Sequence, residues 1–475
     1  MPVLALVAIG ACSSGSDRGA PSASSTTAGS GVAQPTGTGP TVTLPPVTAP
    51  PGTRPPSPGG PVAFVPASID STGRADVTPS LQRFLASVRS GREIRFRKGG
   101  RYRIEGTLFL RDRHNITIDG NGATVFATTP GPPARSQWWV KGGSRIVFRN
   151  IRVEGANPEA GISEGAYRRK RETQHGFRFD GVNGVELDHV QVHDVFGDFV
   201  YLGLDKAFVA SRNIWIHDSV FSRNGRQGIA VTAATNVIIE RNHISQTRRS
   251  TIDLEPNSRR WRVSNVFVLN NTIGKGRLLF IASHGAGPVD NVVVKGNRFV
   301  DTGLTMDVLP LENQRRSNWV IENNVSNLSV HNRAMRFFRI DGLVVRGNRQ
   351  QVTGGDPALI LNDVCGAHVA DNDFGAGGIK QTNPPCNAPL VVPVPPRLVG
   401  RGTAGTGAPV STVAPRTTQP APPATGAPST APARSPSSSS GGGFDLADGV
   451  FVAVGVLVAL AAVLAFRARR PRAKP

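Results

Sequence analysis

Two long segments of the sequence, one on each side of its central part, contain few large apolar residues. Residues 13–62 and 391–443 are rich in Pro, Thr, Ser, Ala and Gly. Such segments cannot bury enough apolar surface to offset the conformational entropy that folding removes. This shortage predicts two disordered linkers, and a folded body is therefore expected between them, at residues 63–390.

Two patterns that would indicate other folds are missing from the body. No helical stretch separates its apolar segments, and short hairpin turns do not recur at regular spacing. The missing hairpins argue against a β-propeller or a β-sandwich. A body of roughly 330 residues exceeds what a single globular core usually holds, a limit that a repeat fold removes because each unit packs on its neighbours.

What the body does contain is a short pattern in which a turn residue precedes alternating apolar residues. Copies of this pattern begin at Asn115, Arg145, Gly184, Asn213, Asn236, Asn265, Asn291, Asn318 and Gly342, at spacings of 23 to 39 residues. A second series of alternating segments lies between them, at 176–180, 199–203, 228–232, 251–255, 278–282 and 305–309. Alternation with a period of two predicts strands.

This spacing is typical of the coils of a β-solenoid, which stack about 4.8 Å apart. The recurrent Asn residues at turns are expected to stack into hydrogen-bonded ladders, because Asn tolerates the left-handed backbone that turns require. We therefore expect long parallel sheets around a core of Val, Ile, Leu and Phe.

Three segments near the start of the body carry a family resemblance. Residues 76–85 look like a capping helix, residues 96–104 like a first strand and turn, and residues 118–125 like a first full coil. In these features the body, over residues 70–388, resembles the pectate-lyase-like, right-handed parallel β-helix superfamily. The resemblance implies an all-β, single-stranded parallel β-helix with an N-terminal capping helix. It also implies carbohydrate handling, by lyases, glycosidases, epimerases or phage-tail-like depolymerases.

The sequence departs from the best-defined enzymes of that superfamily. The Asn-Thr-Asp, Asp-Asp and Gly-His-Gly motifs of polygalacturonase-type glycosidases are missing, and only His175-Gly176 is present, in a different setting. The Arg-x-x-Pro-x-x-Arg signature of some pectate lyases is also missing. No catalytic residue is therefore carried over from these families.

A candidate site follows from strand alternation in residues 251–255. If Ile252 and Leu254 face the core, Asp253 and Glu255 share the outward face, with Cα atoms about 6.6 Å apart. Two carboxylates at that spacing are candidates for an acid–base pair, since inverting glycosidases separate theirs by about 6.5–9.5 Å. They are equally suited to bind Ca²⁺, which prefers oxygen ligands.

Neighbouring coils are expected to add polar groups to this face. Arg226 and His284 join the pair as catalytic candidates, and Gly228 and Ala230 are expected to leave room for a sugar ring. The candidates for substrate binding are Arg178, Asp180, Tyr201, Gln227 and Asp307. In an elimination at a uronate, an arginine would neutralise the carboxylate, and His284 or Tyr201 would accept the proton.

The alternative for this face is a solvated surface without catalysis. In that case the two carboxylates form ion pairs with Arg226, Arg259 or Arg260. The histidine pair His189 and His193 is four residues apart in a strand, a spacing that does not converge on zinc. No metal site is predicted from the histidines.

Charge and cysteine content suggest the partners and the compartment. The formal net charge is +21, with a basic run at 168–171, and basic surfaces attract anionic partners such as acidic polysaccharide, nucleic acid or anionic lipid. The alternative for the run is a solvated loop. Of these partners we expect an anionic glycan and no nucleic acid, and we expect the protein to be a monomer. Cys365 and Cys386 are expected to form a disulfide, as an exported protein permits. Two free, buried thiols are the alternative.

The termini predict export and anchoring. Residues 1–12 resemble a lipoprotein signal with Cys12 lipidated, although basic residues before the apolar run are missing, and a plain signal peptide is the alternative. Residues 449–466 form an uncharged apolar run, and the basic tail 467–475 follows it. This order predicts a transmembrane helix, a cytoplasmic tail and an extracellular body.

Two functions remain open on the sequence. The first is a surface enzyme that acts on polysaccharide, as a lyase or a glycoside hydrolase. The second is a non-catalytic, wall-binding or adhesive rod displayed on the Pro-rich stalk. A concave cleft lined by the carboxylates favours the enzyme, and a flat face favours the rod.

Overall fold

The computed structural model describes residues 61–311, 314–331, 335–355, 357–382 and 393. All of them belong to a unit of residues 1–406. The predicted signal segment with Cys12, the transmembrane helix and the basic tail lie outside the described residues, as do nearly all of both linkers. Within the described ranges, no helix is both long and apolar enough to cross a membrane.

The fold is a right-handed parallel β-solenoid of about 11 turns. Its strands are β1 (Val62–Phe64), β2 (Thr72–Asp76), β3 (Glu93–Arg95), β4 (Arg101–Arg103), β5 (Leu108–Arg111), β6 (His114–Asp119), β7 (Thr124–Phe126), β8 (Trp138–Lys141), β9 (Ser144–Arg149), β10 (Arg152–Glu154), β11 (Phe177–Asp180), β12 (Asn183–Asp188), β13 (Gln191–Val195), β14 (Val200–Gly203), β15 (Ser211–His217), β16 (Val220–Asn224), β17 (Ile229–Val231), β18 (Ala234–Glu240), β19 (His243–Ser245), β20 (Ile252–Leu254), β21 (Val263–Leu269), β22 (Thr272–Ile273), β23 (Ile281–Ser283), β24 (Val289–Lys295), β25 (Arg298–Phe299), β26 (Met306–Val308), β27 (Arg316–Glu322), β28 (Val325–Ser326), β29 (Val330–His331), β30 (Met335–Arg346), β31 (Arg349–Thr353), β32 (Leu359–Ala370), β33 (Asp373–Gly375) and β34 (Ile379–Thr382).

These strands form three rows that run along the solenoid. Row 1 contains β5, β8, β11, β14, β17, β20, β23, β26, β30, β32 and β34. Row 2 contains β1, β3, β6, β9, β12, β15, β18, β21, β24 and β27, and it also shares β30 and β32 with row 1. Row 3 is the 13-stranded sheet that holds the remaining strands. The strands within each row pair in parallel, as the repeat predicts.

The core fills the space between the three rows. In row 1 the inward residues include Ile229, Ile252 and Ile281, which pair in register on successive coils. Row 2 and row 3 supply further Val, Ile, Leu and Phe side chains to the same cluster. The predicted apolar core is therefore confirmed, and it is continuous along the solenoid.

Two asparagine ladders run along the coils. The outer ladder joins the side chains of Asn183, Asn213, Asn236, Asn265, Asn291 and Asn318 through hydrogen bonds of 2.8–2.9 Å. The inner ladder joins Asn242, Asn271, Asn297, Asn324, Asn348 and Asn372 at the turn between rows 2 and 3. Asn213, Asn236 and Asn265 have φ between 54° and 59°, which is the left-handed conformation that the sequence pattern indicated.

One α-helix, α1 (Thr78–Ser87), precedes the first complete coils. Pro79 lies in its first turn, where a proline loses no intrahelical hydrogen bond. Leu81 and Leu85 are buried in the common core. Gln82 accepts a hydrogen bond from the backbone N–H of Phe109 at 2.6 Å, which ties the helix to β5.

Candidate functional site

The outward side of row 1 presents one residue per coil at the same register position. From the N-terminal side these residues are Phe109, Trp139, Arg178, Tyr201, Ala230, Asp253, Ala282, Asp307 and Arg336. We call this set the row 1 ladder. It begins with aromatic and basic side chains and reaches the predicted acidic pair at β20.

Asp253 and Glu255 form a hydrogen-bonded carboxyl pair. Ile252 and Leu254 face the core, so alternation directs Asp253 outward between Ala230 and Ala282. Asp253 is nevertheless only 3% exposed. Burial, and then the charge and hydrogen bond of Glu255, raise its pKa well above the ordinary value. Asp253 therefore holds a proton more strongly than an ordinary aspartic acid does.

A buried ion pair lies beside these carboxyls. The Arg226 guanidinium donates to both carboxylate oxygens of Asp198, at 3.1 and 2.8 Å. Burial raises the pKa of Asp198 to about 6, against the opposing effect of Arg226. Burial alone would lower the pKa of Arg226, but Asp198, Glu255 and Asp253 together raise it. Arg226 thus stays charged and offsets part of the negative charge of the pair.

His175 and Tyr201 form the next layer of the site. Their rings stack with centroids 4.9 Å apart. The backbone N–H of Asp198 donates to Nδ1 of His175 at 3.1 Å, which leaves the ring proton on Nε2. Burial, with the nearby charge of Arg226, lowers the pKa of His175 well below its usual value, so the ring is neutral. Burial raises the pKa of Tyr201.

A long loop between β10 and β11 closes one side of the site. Glu172 of this loop lies 3.7 Å from Nε of Arg226 and accepts a hydrogen bond of 2.7 Å from the Tyr167 hydroxyl. Glu164 pairs with Arg248 at 2.8 Å on a later coil. The loop is therefore fastened across several coils, next to Arg226.

His284 follows β23 directly, and its backbone is held from the inside of the solenoid. Arg316 is fully buried and donates to the carbonyl oxygens of Gly287 and Gly285, at 2.5 and 2.6 Å. These bonds fix the segment that carries His284. Burial lowers the pKa of His284, and its Nε2 is buried without a hydrogen-bond partner among the described residues. A neutral imidazole with an unpartnered nitrogen can accept or donate a proton to a ligand.

An aromatic and cationic platform forms the N-terminal part of the ladder. The indole ring of Trp139 lies between Nζ of Lys141, 3.5 Å from the ring centroid, and the Arg178 guanidinium at 4.0 Å. Its Nε1 donates to Asp180 at 2.7 Å, and Arg178 donates to the same carboxylate at 3.0 Å. Trp139, Lys141 and Arg178 are all half-buried, so their free edges face solvent.

The other predicted binding residues have structural partners. The backbone N–H of Ser250 donates to the side-chain oxygen of Gln227 at 2.8 Å, and the backbone N–H of Gln227 donates to Asp198 at 2.9 Å. Asp307 forms an ion pair with Arg336 on the next coil. Gln227 thus links Asp198 to the backbone of the next coil, and Asp307 is already paired with a positive charge.

Two details of the predicted site are wrong. Gly228 does not open a cleft, because a Cβ there would lie 2.2 Å from the carbonyl oxygen of Thr251, so its small size serves close backbone packing. Ala230 is fully buried. The Asp253 and Glu255 carboxyls are hydrogen-bonded to each other. Their separation is therefore shorter than the about 6.5 Å that an inverting pair needs to hold a water molecule between its two carboxyls.

The sequence interpretation missed His175, Asp198, Glu172 and Trp139. Extending the row 1 register by two residues aligns His175, Asp198, Gln227 and Ser250 on successive coils. This polar column stands just before the alternating segments, at spacings of 23, 29 and 23 residues. Aligning the coils by register rather than by motif could have revealed it.

A second group of titratable side chains lies on row 2. The ligand atoms of Asp188, His217 and Asp218 lie within 4.8 Å of one another. His217 donates to Asp218 at 2.7 Å, and Arg241 forms two hydrogen bonds to the same carboxylate. Burial would lower the pKa of His217, but Asp218 and Glu186 raise it. The group is therefore satisfied by its own ion pairs.

Comparisons with known proteins agree with this architecture. Residues 139–335 match the family described as the right handed beta helix region, which confirms the predicted resemblance to the right-handed parallel β-helix superfamily. No curated protein matches the chain.

Several solved structures are similar to this chain at low sequence identity. The endo-xylogalacturonan hydrolase of Aspergillus tubingensis is 13% identical, with a TM-score of 0.49 over 70% of this chain and 98% of its own. The family 28 exopolygalacturonase of Yersinia enterocolitica is 13% identical, with a TM-score of 0.48 over 70% and 79%. A surface adhesin of Streptococcus pneumoniae is 13% identical, with a TM-score of 0.42 over 65% and 90%.

Proposed function

We propose that this β-solenoid is an enzyme that cleaves an anionic polysaccharide lying along the row 1 ladder. The observation that carries the proposal is the buried Asp253–Glu255 pair beside Arg226, in which burial and the neighbouring carboxyl raise the pKa of Asp253. A carboxyl with a raised pKa is suited to general acid catalysis.

We assign the proton of Asp253 to the oxygen atom that leaves when the glycosidic bond is cleaved. Cleavage of a glycosidic bond requires protonation of the bridging oxygen, and glycosidases raise the pKa of one carboxyl for this step. In our proposal Asp253 donates its proton to the bridging oxygen as the bond between that oxygen and the anomeric carbon breaks. A water molecule then adds to the anomeric carbon and returns a proton to the Asp253 carboxylate, and Glu255 stabilises the protonated form of Asp253. Arg226 limits the charge that develops when the proton leaves, because it remains cationic throughout.

Hydrolysis fits the site better than elimination. An eliminating enzyme needs a base that removes a proton from carbon, and the raised pKa of Tyr201 disfavours its phenolate. The hydrogen bonds of Arg178 and Arg226 go to Asp180 and Asp198, so neither arginine is reserved for a uronate carboxylate. His284 is the remaining candidate base for an elimination, and the products of the two reactions differ.

The platform supports an anionic glycan as the substrate class. Aromatic rings such as Trp139 offer flat apolar surface with a polar edge. Lys141 and Arg178 lie over its ring, Arg111 lies over the neighbouring Phe109, and Lys206 is close enough to lower the pKa of Lys141. The carboxylates nearby are Asp180, Asp112 and Asp205. This excess of positive charge would attract carboxylated or sulfated sugars.

The experiment tests cleavage with a carboxyl variant. Purified full-length protein is incubated with uronate polymers and neutral glucans, and both reducing ends and ultraviolet absorbance of unsaturated ends are followed. We expect new reducing ends without unsaturated ends, on anionic polymers, and a loss of at least about 100-fold in Asp253→Asn, as is typical for general acids. The matched control is Asp301→Asn, which changes an exposed carboxylate.

Three results would contradict the proposal. Full activity in Asp253→Asn places the reaction elsewhere. Unsaturated products identify a lyase instead of a hydrolase. Binding of an anionic polymer without any cleavage supports the second function, a non-catalytic wall-binding or adhesive rod.

We also propose that the solenoid is displayed outside the cell. The proposal rests on the apolar run 449–466 and the basic tail 467–475, since positive residues favour the cytoplasmic side. Protease added to intact cells should remove the solenoid and spare an epitope tag on the tail. A solenoid that survives in protoplasts until they are lysed would contradict this topology.

A further inference from the structure

The outward face of row 2 carries an apolar ladder of its own. Trp215, Ile238, Phe267, Val293, Val320 and Val344 occupy one register position on six successive coils. Their neighbours in each strand, such as Val292 and Val294, belong to the inner core. We call these six residues the apolar ladder. They point away from the core that their neighbours fill.

The apolar ladder is buried although it lies on the outside. Its members are between 0% and 6% exposed, and together with Leu269 they form a cluster separate from the core. The adjacent outward residues Glu240 and Glu322 are also only 3% and 7% exposed. Side chains on the outside of a sheet reach such values only when further chain covers them.

The described elements indicate which part of the polypeptide covers the apolar ladder. The strands of the described ranges are parts of the coils themselves, and α1 packs against β5. The polypeptide leaves the last strand, β34, at Thr382. Beyond this point the structure describes Pro393, which is buried. Pro393 lies in Pro389-Leu-Val-Val-Pro-Val-Pro-Pro, the most apolar stretch between the last coil and residue 443.

We propose that residues 388–398 dock along the apolar ladder and cover the outside of row 2. The six coils span five spacings, about 24 Å. Eleven residues in a polyproline-type conformation reach about 34 Å, so the segment is long enough to cover all six. The prolines at positions 389, 393, 395 and 396 offer no N–H for strand pairing, so the contact would be made by side chains.

The docked segment would also set where the linker begins. A chain held on the outside of row 2 leaves the solenoid along its side, and residues 400–443 would start there rather than at the final coil. The inference does not depend on any catalytic activity of row 1.

The experiment measures the accessibility of one ladder residue in the full-length chain. Val293→Cys is introduced alone and together with Pro393→Asp, which places a charge where a buried ring lies, and maleimide labelling is located by peptide mass mapping. We expect Val293→Cys to be protected alone and to react at least about tenfold faster in the double variant, because labelling follows the population of the uncovered state. Val292→Cys, which faces the core, should stay protected in both backgrounds.

A matched variant outside residues 388–398 tests whether the effect is specific to that segment. Pro409→Asp, the same substitution in the linker, should leave Val293→Cys protected. If Pro393→Asp does not fold by circular dichroism, Pro393→Ala replaces it.

Three results overturn the proposal. Labelling of Val293→Cys in the parent chain would show an uncovered face. Labelling that falls as the protein concentration rises would show a second copy as the cover. Unchanged protection in a folded Pro393 variant would assign the cover to another segment.

Discussion

At the scale of single residues, the site is governed by how strongly buried acids hold their protons. Asp198 is fully buried and has a pKa of about 6. Its ordinary value is 3.8, so between about pH 4 and pH 6 the folded state binds a proton that the unfolded state has lost. The stability of the fold therefore falls as the pH rises through this window.

The first prediction concerns this window. Asp198→Asn should flatten the decline of the melting temperature between about pH 4 and pH 6, because the variant has no proton to release there. Its absolute stability should be lower at every pH, since Arg226 loses its partner. Differential scanning calorimetry at several pH values measures both. An unchanged slope would show that Asp198 titrates as an ordinary carboxyl, and Asp301→Asn should keep the parent slope.

The second prediction concerns the carboxyl pair. Folding raises the pKa of Asp253, so a folded state that keeps this side chain becomes less stable as the pH rises. Asp253→Asn should therefore stabilise the protein by about 0.5–2 kcal/mol at about pH 8, as substitutions at strained functional sites often do. Urea unfolding at about pH 5 and pH 8 tests it. A gain that shrinks at the higher pH would argue against a retained proton.

The sequence predicted part of this site. Alternation in residues 251–255 correctly placed Ile252 and Leu254 in the core. It could not predict that Asp253 is buried, because the burial of an outward side chain depends on contacts with residues that are distant in sequence. It also missed Asp198, which precedes an alternating segment instead of lying within one.

At the scale of elements, turns and loops are held by side chains of other coils. Arg316 illustrates this, because it starts β27 but binds the carbonyl groups of Gly285 and Gly287 on the preceding coil. These bonds tie the backbone around His284 to the core.

The third prediction is that Arg316→Met loosens this loop. The two carbonyl groups would lose buried donors, at a cost of about 1–3 kcal/mol each. We expect a lower melting temperature and faster hydrogen exchange in residues 284–288. Arg298→Met changes an exposed arginine and should alter neither. Equal exchange in the two variants would mean that the loop is held by other contacts.

The fourth prediction compares the two asparagine ladders. Asn271 is 1% exposed and makes hydrogen bonds to Asn297, Ile239 and Asn242, so Asn271→Ala should cost about 3 kcal/mol or more. Asn291→Ala in the half-buried outer ladder should cost about 1–2 kcal/mol, mainly for its left-handed backbone. Chemical unfolding of both variants gives the ranking. A larger loss in Asn291→Ala would reverse it.

Row 2 shows why strand faces were only partly predictable. Alternation predicts one apolar face, and it does place Val237 and Ile239 in the core. Ile238 between them is apolar as well, and such uninterrupted runs indicate strands that are buried on both faces. The runs were visible in the sequence, but what covers their second face depends on contacts that no local pattern records.

At the scale of the whole molecule, the final coil differs from the others because it packs against a neighbouring coil on one side only. Cys365 lies in β32, next to the last strand of row 1, and it is disulfide-bonded. Cys386 lies outside the described residues, so the pairing of these two cysteines stays a prediction.

The fifth prediction is that non-reducing peptide mapping will join Cys365 to Cys386. A disulfide that closes a loop of this size typically contributes about 3 kcal/mol. Cys386→Ser should therefore lower the melting temperature and increase hydrogen exchange in β32 and β34, with little effect near α1. A peptide that joins Cys365 to Cys12 would contradict the pairing.

The position of β20 has a consequence for the products of the proposed reaction. It is the sixth of the 11 strands of row 1, so five coils lie on either side of Asp253. A polymer lying along the ladder would extend about 24 Å in both directions from the bond that is cut. Neither of its ends needs to be near the carboxyl pair. The enzyme would then shorten long chains from within, and the viscosity of a polymer solution would fall well before single sugars accumulate.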